Sequence, residues 1–185
     1  MSTALLIIDM QNDYFPGGKF ELRNPLPALD AAEKLLKCFR AENCPVYHVQ
    51  HISGRDAAFF IPDTDGVKIH SRLEPLDTEC VIVKHAPNSF FHTELREELR
   101  RASVTELVVC GMMTYMCVDT TVRAARDAGY PVTLISDACA ARDLEWAGER
   151  ISADVVQAVY FASLSRSFAQ VMTCAEYLER FHAPH

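Results

Sequence analysis

The 185-residue sequence predicts an α/β protein, a single domain over residues 1–185 with a doubly wound, mostly parallel six-stranded sheet and helices on both faces. Short aliphatic runs alternate along the chain with longer segments of helical periodicity, which is the pattern of a parallel sheet. The length is that of about one domain. Hydrophobic residues make up 49% and charged residues 23%, a globular balance that excludes disordered and collagen-like chains.

The predicted strands are short apolar runs. Residues 4–8 are continuously aliphatic, which is typical of a strand buried on both faces of a sheet. Gly111 closes a similar run later in the chain. The remaining strands are predicted at residues 45–49, 80–84, 104–110, 131–136 and 168–172.

The predicted helices lie between these runs. Residues 26–42 carry apolar side chains at helical spacing, including Leu29, Leu36 and Phe39. Residues 11–25 and 51–78 read as loops, and we expect the second, which is unusually long, to set specificity. Further helices are predicted at residues 93–102, 117–128 and 144–164, and a last one opens with a capping box at residues 173–176.

Charge and cysteine content narrow the function classes. Eighteen basic residues against 25 acidic residues give a net charge of −7, and no basic run offers a nucleic-acid footprint. The N-terminal apolar run is too short for a signal peptide or a membrane span. The seven cysteines form no C-x-x-C pair, which favours reduced thiols. We therefore expect a cytoplasmic protein with no nucleic-acid or membrane partner.

Three reactive residues stand at predicted strand ends. Asp9 follows the first strand, Lys84 ends the third, and Cys117 lies seven residues after the fourth, at the start of a predicted helix. Ligands of parallel sheets bind beyond the carboxyl ends of the strands, so we expect these side chains to converge. The helix dipole and Lys84 would favour a Cys117 thiolate, and Asp9 could move its proton. The pattern predicts a thiol nucleophile, a cationic stabiliser and a proton shuttle.

Each of these residues alone also has an ordinary structural interpretation. An aspartate at a strand end is often a turn or cap residue, and a lysine there is usually a surface charge with a buried stem. A lone cysteine is more often buried and inert. Taken from the residues alone, the catalytic and structural interpretations both remain open.

Three sequence motifs then suggest a family. Residues 6–15 (LIIDMQNDYF), the pair Val83-Lys84 and residues 111–121 (GMMTYMCVDTT) occur in this order at the predicted strand ends. Together they resemble the isochorismatase-like cysteine hydrolases, which include nicotinamidases, N-carbamoylsarcosine amidase and ureide or biuret hydrolases. The resemblance covers residues 3–173.

The resemblance implies a catalytic triad of Asp9, Lys84 and Cys117. It also implies a non-proline cis peptide bond at Met112–Met113 and an oxyanion hole formed by the amides of Met113 and Cys117. The implied activity is cleavage of a C–N bond in a small amide, ureide or carbamate through a thioester.

The resemblance also suggests candidates for substrate binding, namely Gln11, Tyr14, Phe90 and Tyr115. Each of these side chains could equally serve in packing.

The sequence departs from the metal site of nicotinamidases, which carry Asp-x-His after the second strand. Here His51 and Ser53 occupy those positions, so we expect no metal and no cofactor. His48 and His51 remain a possible pair of ligands, although polar residues at a strand end are the favoured interpretation.

Two other functions remain open. One is an isochorismatase-type enol-ether hydrolase that uses Asp9 as its acid and does not need Cys117. The other is a non-catalytic relative that binds a small metabolite. In addition to a small-molecule substrate, we expect a homo-oligomer, either dimer or tetramer. The apolar face of the last helix, with Tyr177, Leu178 and Phe181, could pack on a partner or on its own sheet.

Overall fold

A computed structural model describes residues 2–181, and its centre is the predicted sheet. The strands are β1 (Thr3–Ile8), β2 (Val46–His51), β3 (Cys80–Lys84), β4 (Glu106–Met112), β5 (Val132–Ala140), β6 (Leu144–Trp146), β7 (Glu149–Ile151) and β8 (Gln170–Met172). Six of them form a parallel sheet in the order β3-β2-β1-β4-β5-β8, and β6 and β7 form a separate antiparallel hairpin.

Helices cover both faces of the sheet. They are α1 (Pro25–Ala41), α2 (Leu95–Arg101), α3 (Asp119–Asp127), α4 (Ala153–Leu164) and α5 (Cys174–Phe181). Helices α1 and α5 pack on one face and α2, α3 and α4 on the other. Strand β1 serves both layers, because Leu5 and Ile7 face the α1 side while Leu6 and Ile8 face the α3 side, all of them buried.

The helix predicted over residues 144–164 is wrong in its first part. Residues 144–151 form the β6–β7 hairpin, and its turn residues Ala147 and Gly148 both have positive φ, 52° and 82°. Positive φ at both positions is the geometry of the type I′ turn, one of the two common turns in two-residue hairpins. Helix α4 begins only after this hairpin, where the Ser152 side chain accepts a hydrogen bond from the Val155 amide as an N-cap.

The chain around β4 differs from the prediction in a way that shapes the site. The helix predicted from residue 117 starts earlier, with one π-helical turn over Thr114–Val118 that leads into α3. Just before it, Gly111 has a φ of +135°, and a Cβ there would lie 2.1 Å from the carbonyl oxygen of Ile8. Only glycine fits this position, which lets the ends of β1 and β4 approach closely.

The long segment of residues 52–79 is held by two buried side chains, Gln11 and Asp13, which we call the clasp. The Gln11 amide donates hydrogen bonds to the carbonyls of Val67 (2.7 Å) and His51 (2.8 Å). The Asp13 carboxylate accepts one from the amide of Phe60 (2.7 Å). The segment therefore follows a defined path over the edge of the sheet although it has little regular structure.

The last helix packs inward. The rings of Tyr177 and Phe181 on α5 stack on Phe39 of α1, with centroids 6.1 and 5.6 Å apart. Of the two packing alternatives for this face, the structure shows the one within the chain.

Two remaining expectations concern the chain as a whole. No helix within residues 2–181 is long and apolar enough to cross a lipid bilayer. The predicted domain of residues 1–185 also includes Met1 and residues 182–185, which lie outside the described residues.

Candidate active site

The three reactive side chains from the strand ends meet at one point. The Lys84 ammonium nitrogen lies 2.8 Å from a carboxylate oxygen of Asp9 and 3.2 Å from the sulfur of Cys117. All three residues are buried: Asp9 is 0% exposed, Lys84 is 1% exposed and Cys117 is 5% exposed. The structure thus brings together the residues that the strand-end argument selects, in a site shielded from bulk water.

Asp9 reaches this point because the backbone turns sharply after β1. Its φ is +50°, in the left-handed region that aspartate tolerates better than most residues. Its amide donates a hydrogen bond to the carbonyl of Val49 on β2 (3.0 Å). The turn ends the strand and leaves the carboxylate beside the ammonium.

The surroundings of the Cys117 sulfur favour its thiol form. Burial raises the pKa of Cys117, the charge of Asp9 raises it further, and the Lys84 ammonium only partly opposes them. Lys84 acts in the predicted direction, but the net shift in the pKa of Cys117 is opposite to the one predicted from the helix start and Lys84. The physical reason is desolvation, which penalises the charged form of a buried group.

The Asp9 carboxylate is well suited to take a proton. Burial raises the pKa of Asp9 above that of an ordinary aspartate, against the opposing effect of the Lys84 ammonium. Its Oδ2 atom lies 2.8 Å from the Lys84 ammonium nitrogen, and a hydrogen bond with Cys117 also acts on its pKa. The arrangement therefore places a strengthened base next to the thiol from which it can take a proton.

The backbone between β4 and Cys117 carries the residues of the implied oxyanion hole. The Met112–Met113 peptide bond is cis. The Met113 carbonyl accepts hydrogen bonds from the amides of Met116 (3.0 Å) and Val118 (3.2 Å), and neither bond uses the amides of Met113 and Cys117.

Two of the four predicted substrate-binding residues, Gln11 and Phe90, make contacts within the protein. The Gln11 amide is committed to the clasp, where its oxygen also accepts a hydrogen bond from the His51 amide (2.8 Å). The Phe90 ring stacks on Tyr130, with centroids 6.4 Å apart, and joins the apolar cluster under α2 and α3.

The other two predicted substrate-binding residues, Tyr14 and Tyr115, interact with the triad and with the turn that carries Cys117. Burial raises the pKa of Tyr14, and the charges of Asp9 and Cys117 act in the same direction. The Tyr115 hydroxyl donates a hydrogen bond to the sulfur of Met113 (3.2 Å), inside the turn that carries the nucleophile candidate.

Sequence reasoning considered His51 as a possible metal ligand and favoured a polar residue at a strand end, but it did not connect His51 with Lys84. Strand β2 extends to His51, two residues beyond the predicted end. The ring nitrogen Nδ1 of His51 lies 2.9 Å from the Lys84 ammonium. The missed signal was the same one that selected Asp9 and Lys84, a polar residue at the end of a strand.

The site carries metal-binding residue types, but it does not fit a metal ion. The possible ligand atoms of Asp9, His51 and Cys117 lie within 4.8 Å of one another, and all three side chains are ligand types for zinc. The Lys84 ammonium, however, lies 2.8 to 3.2 Å from all three, where a metal cation would have to compete with it.

The second histidine of the suspected ligand pair points elsewhere. His48 is three residues before His51 on the same strand, which places their side chains on opposite faces. His48 is buried, and its Nε2 lies 2.9 Å from the carboxylate of Glu79. The two histidines therefore do not form a pair.

Comparison with known proteins shows the family of this chain. The family model described as Isochorismatase domain matches residues 3–176. The uncharacterized isochorismatase family protein YddQ of Bacillus subtilis is 49% identical over 97% of this chain and 100% of its own length. Nicotinamidase 3 of Arabidopsis thaliana is 30% identical over 74% of this chain and 72% of its own length.

Solved structures show the same architecture. An isochorismatase hydrolase from Oleispira antarctica superposes with a TM-score of 0.94 at 41% identity, covering 96% of each chain. A cysteine hydrolase from Pseudomonas syringae superposes with a TM-score of 0.90 at 28% identity, covering 96% of this chain and 91% of that chain.

Proposed function

This chain belongs to the isochorismatase family of hydrolases, and from that premise we propose that it is a cysteine hydrolase that cleaves a C–N bond of a small amide, ureide or carbamate. The observation that carries the proposal is the buried contact of one ammonium with both a carboxylate and a thiol, at 2.8 and 3.2 Å. In this proposal Cys117 is the nucleophile, Asp9 the proton shuttle and Lys84 the cationic stabiliser.

In the first half of the reaction the Cys117 thiol gives its proton to the Asp9 carboxylate as the sulfur attacks the substrate carbonyl. The raised pKa of both groups supports this order, because the thiol does not ionise alone and the carboxylate holds the proton well. The amides of Met113 and Cys117 stabilise the oxyanion. Asp9 then protonates the leaving nitrogen, the C–N bond breaks, and a thioester remains on Cys117.

In the second half water replaces the amine. Asp9, again a carboxylate, removes a proton from the water as its oxygen attacks the thioester. The C–S bond breaks, the acid leaves, and the proton returns from Asp9 to the sulfur. Lys84 offsets the negative charge that alternates between Asp9 and Cys117. No step passes through a metal ion.

The substrate class rests on two kinds of support. A thiol nucleophile suits acyl chemistry, whereas an enol-ether hydrolase needs only an acid. A relative named nicotinamidase, 30% identical to this chain, is by its name an amidase. His51 and Ser53 replace the nicotinamidase Asp-x-His ligands, so we propose a metal-independent enzyme with a different small substrate.

The test is a screen for ammonia or amine release with panels of small amides, ureides and carbamates. We expect turnover by the wild-type protein and a loss of about a thousandfold or more in kcat for Cys117→Ala. Mass spectrometry of the acid-quenched protein should show an acyl adduct on the Cys117 peptide. Gln170→Glu, a change at the exposed first residue of β8, is the control and should leave turnover unchanged.

Two outcomes would contradict the proposal. Undiminished hydrolysis by Cys117→Ala would favour the enol-ether reaction with Asp9 as its acid. Binding of substrates without turnover or adduct would favour the non-catalytic relative.

A further inference from the structure

We propose that His51 is a positioning residue of the triad, whose ring nitrogen Nδ1 accepts a hydrogen bond from Lys84 and holds the ammonium between Asp9 and Cys117. The catalytic value of this contact rests on the proposed function. The contact itself can be measured without any substrate.

The geometry of the ammonium supports this role. A lysine ammonium has three N–H donors and no acceptor. Three candidate acceptors surround it, with the nitrogen 2.8 Å from Asp9, 2.9 Å from His51 and 3.2 Å from Cys117. Because Lys84 is only 1% exposed, water cannot readily replace a missing partner. Without His51, one N–H group would be left without an acceptor in a buried site.

The position of His51 between Lys84 and Asp9 explains why it is the third partner of the ammonium. Strand β2 lies between β3 and β1, so the Lys84 side chain must pass the end of β2 to reach Asp9. In the parallel register His51 is the direct neighbour of Lys84. Its ring is therefore beside the lysine stem, where it can guide the ammonium across the sheet edge.

The backbone of His51 is itself fixed by the clasp. The Gln11 side chain accepts a hydrogen bond from the His51 amide and donates one to the His51 carbonyl, both at 2.8 Å. Gln11 is fully buried. A two-point bracket of this kind restricts the backbone from which the ring projects, so Gln11 supports the site indirectly.

The acceptor role requires a neutral imidazole, and the surroundings favour one. Burial lowers the pKa of His51 to about 4, and the positive charges of Lys84 and His85 act in the same direction. With Nδ1 as the acceptor, the single ring proton is on Nε2. The site thus uses an uncharged histidine where a metal-binding relative would place an anionic ligand.

The test compares two substitutions that differ in the acceptor. His51→Asn carries a side-chain oxygen close to the position of Nδ1, whereas His51→Leu has similar bulk and no acceptor. The probe is iodoacetamide, with alkylation of Cys117 followed by peptide mass as a function of pH in the substrate-free protein. We expect the alkylation midpoint to rise by about one pH unit in His51→Leu, because a loosely held ammonium stabilises the thiolate less. His51→Asn should keep the wild-type midpoint within a few tenths of a unit.

His85→Leu is the matched control. It removes another imidazole near the site, whose Nδ1 lies 2.8 Å from the carbonyl of Ile52 and not beside the ammonium. We expect no change in the alkylation profile. An unchanged profile in His51→Leu, or equal shifts in His51→Leu and His51→Asn, would overturn the inference.

A second measurement uses the unmodified protein and so does not depend on whether a variant folds. Nitrogen-15 NMR of the histidine side chains should show His51 at neutral pH as the neutral tautomer protonated on Nε2. An imidazolium, or a tautomer protonated on Nδ1, would contradict the proposal. Failure of every substrate in the turnover screen would refute the hydrolase proposal and leave these results unaffected, so the two failures are distinguishable.

Discussion

Among the residues of the site, the charges on Asp9 and Lys84 act on Cys117 in opposite directions. The carboxylate raises the pKa of the thiol, and the ammonium lowers it. Burial adds to the effect of the carboxylate, which is why the sulfur rests as a thiol. A base is thus needed at the moment of attack, and the same carboxylate that suppresses the thiolate provides it.

This competition predicts that two inactivating substitutions shift the Cys117 thiol in opposite directions. Asp9→Asn removes the negative charge, so alkylation of Cys117 should begin about one pH unit lower or more. Lys84→Met keeps the length and removes the positive charge, so the midpoint should rise by a similar amount. Both variants should lose most of their hydrolytic activity. Iodoacetamide labelling across pH, mapped by peptide mass, measures the shifts.

The same samples contain an internal control. Cys44 is partly exposed, and its pKa is raised by burial and by the charge of Glu42. Neither Asp9 nor Lys84 acts on its pKa, so neither substitution should change its labelling. Lys84→Arg should not restore activity, because a planar guanidinium cannot place its donors as a compact ammonium does. Shifts of equal sign for Asp9→Asn and Lys84→Met would show that the charges do not govern the thiol.

At the scale of elements, a partly buried ion-pair group joins β2 to α1 and to the turn before β3. The Glu79 carboxylate lies 2.7 Å from Arg40 on α1 and 2.9 Å from His48 on β2, and accepts a hydrogen bond from the Leu76 amide at 3.0 Å. Burial raises the pKa of Glu79, but these partners outweigh burial and lower it to about 2. Glu79 therefore helps to fix the strands whose ends carry His51 and Lys84.

We expect Glu79→Gln to lower the free energy of unfolding by about 2 kcal/mol at pH 7, the scale of hydrogen bonds to a charged group. The folded carboxyl has a depressed pKa, so its contribution is present above the ordinary value of 4.5 and is lost as pH falls towards 2. The difference between wild type and variant should therefore shrink from pH 5 downwards. Urea unfolding at several pH values measures it.

Glu33→Gln is the comparison for this experiment. Glu33 also has a pKa lowered to about 2, by hydrogen bonds from Lys37 and Arg72, but it lies at the solvent-facing surface of α1. Water and salt screen such pairs, so Glu33→Gln should lower the free energy of unfolding less than Glu79→Gln does. In high salt, Glu33→Gln and the wild type should have the same free energy of unfolding. Equal losses in both variants would contradict a special role for the buried group.

At the scale of the whole molecule, α4 and the hairpin before it carry three of the nine exposed large hydrophobic side chains within residues 2–181. Val155 and Val159 are 52% and 59% exposed on one side of α4, and Trp146 of the hairpin is 77% exposed. Because α5 packs inward, this α4 surface replaces the α5 face as the candidate contact for the homo-oligomer that the family resemblance implies.

Light scattering should give a mass that is a multiple of the 20.7 kDa chain. Val159→Glu places a charge in the apolar surface and should shift the mass towards the monomer. Gln170→Glu adds the same charge at the exposed first residue of β8 and should leave the mass unchanged. A wild-type mass equal to one chain would refute the predicted oligomer.

The sequence was sufficient for the sheet and for the meeting of Asp9, Lys84 and Cys117, because parallel strands carry their ends to one edge. It was not sufficient for the role of His51, which depends on the register of β2 against β3. Nor could it show that Cys117 rests as a thiol, because burial is a property of the packed site. The β6–β7 hairpin was missed because nothing about Ala147 alone signals a left-handed turn.

The clasp joins two buried side chains to a long segment almost entirely through that segment's main chain. Gln11 and Asp13 form hydrogen bonds with the carbonyl of Val67 and the amide of Phe60. A side chain is excluded at Gly66, where a Cβ would lie 2.1 Å from the Asp13 carboxylate. The segment is also anchored by its own side chains, since Phe60, Val67 and Leu73 are buried in the core. Over evolutionary time, mutations at its exposed positions can therefore vary the surface of this edge while the buried anchors keep its course unchanged.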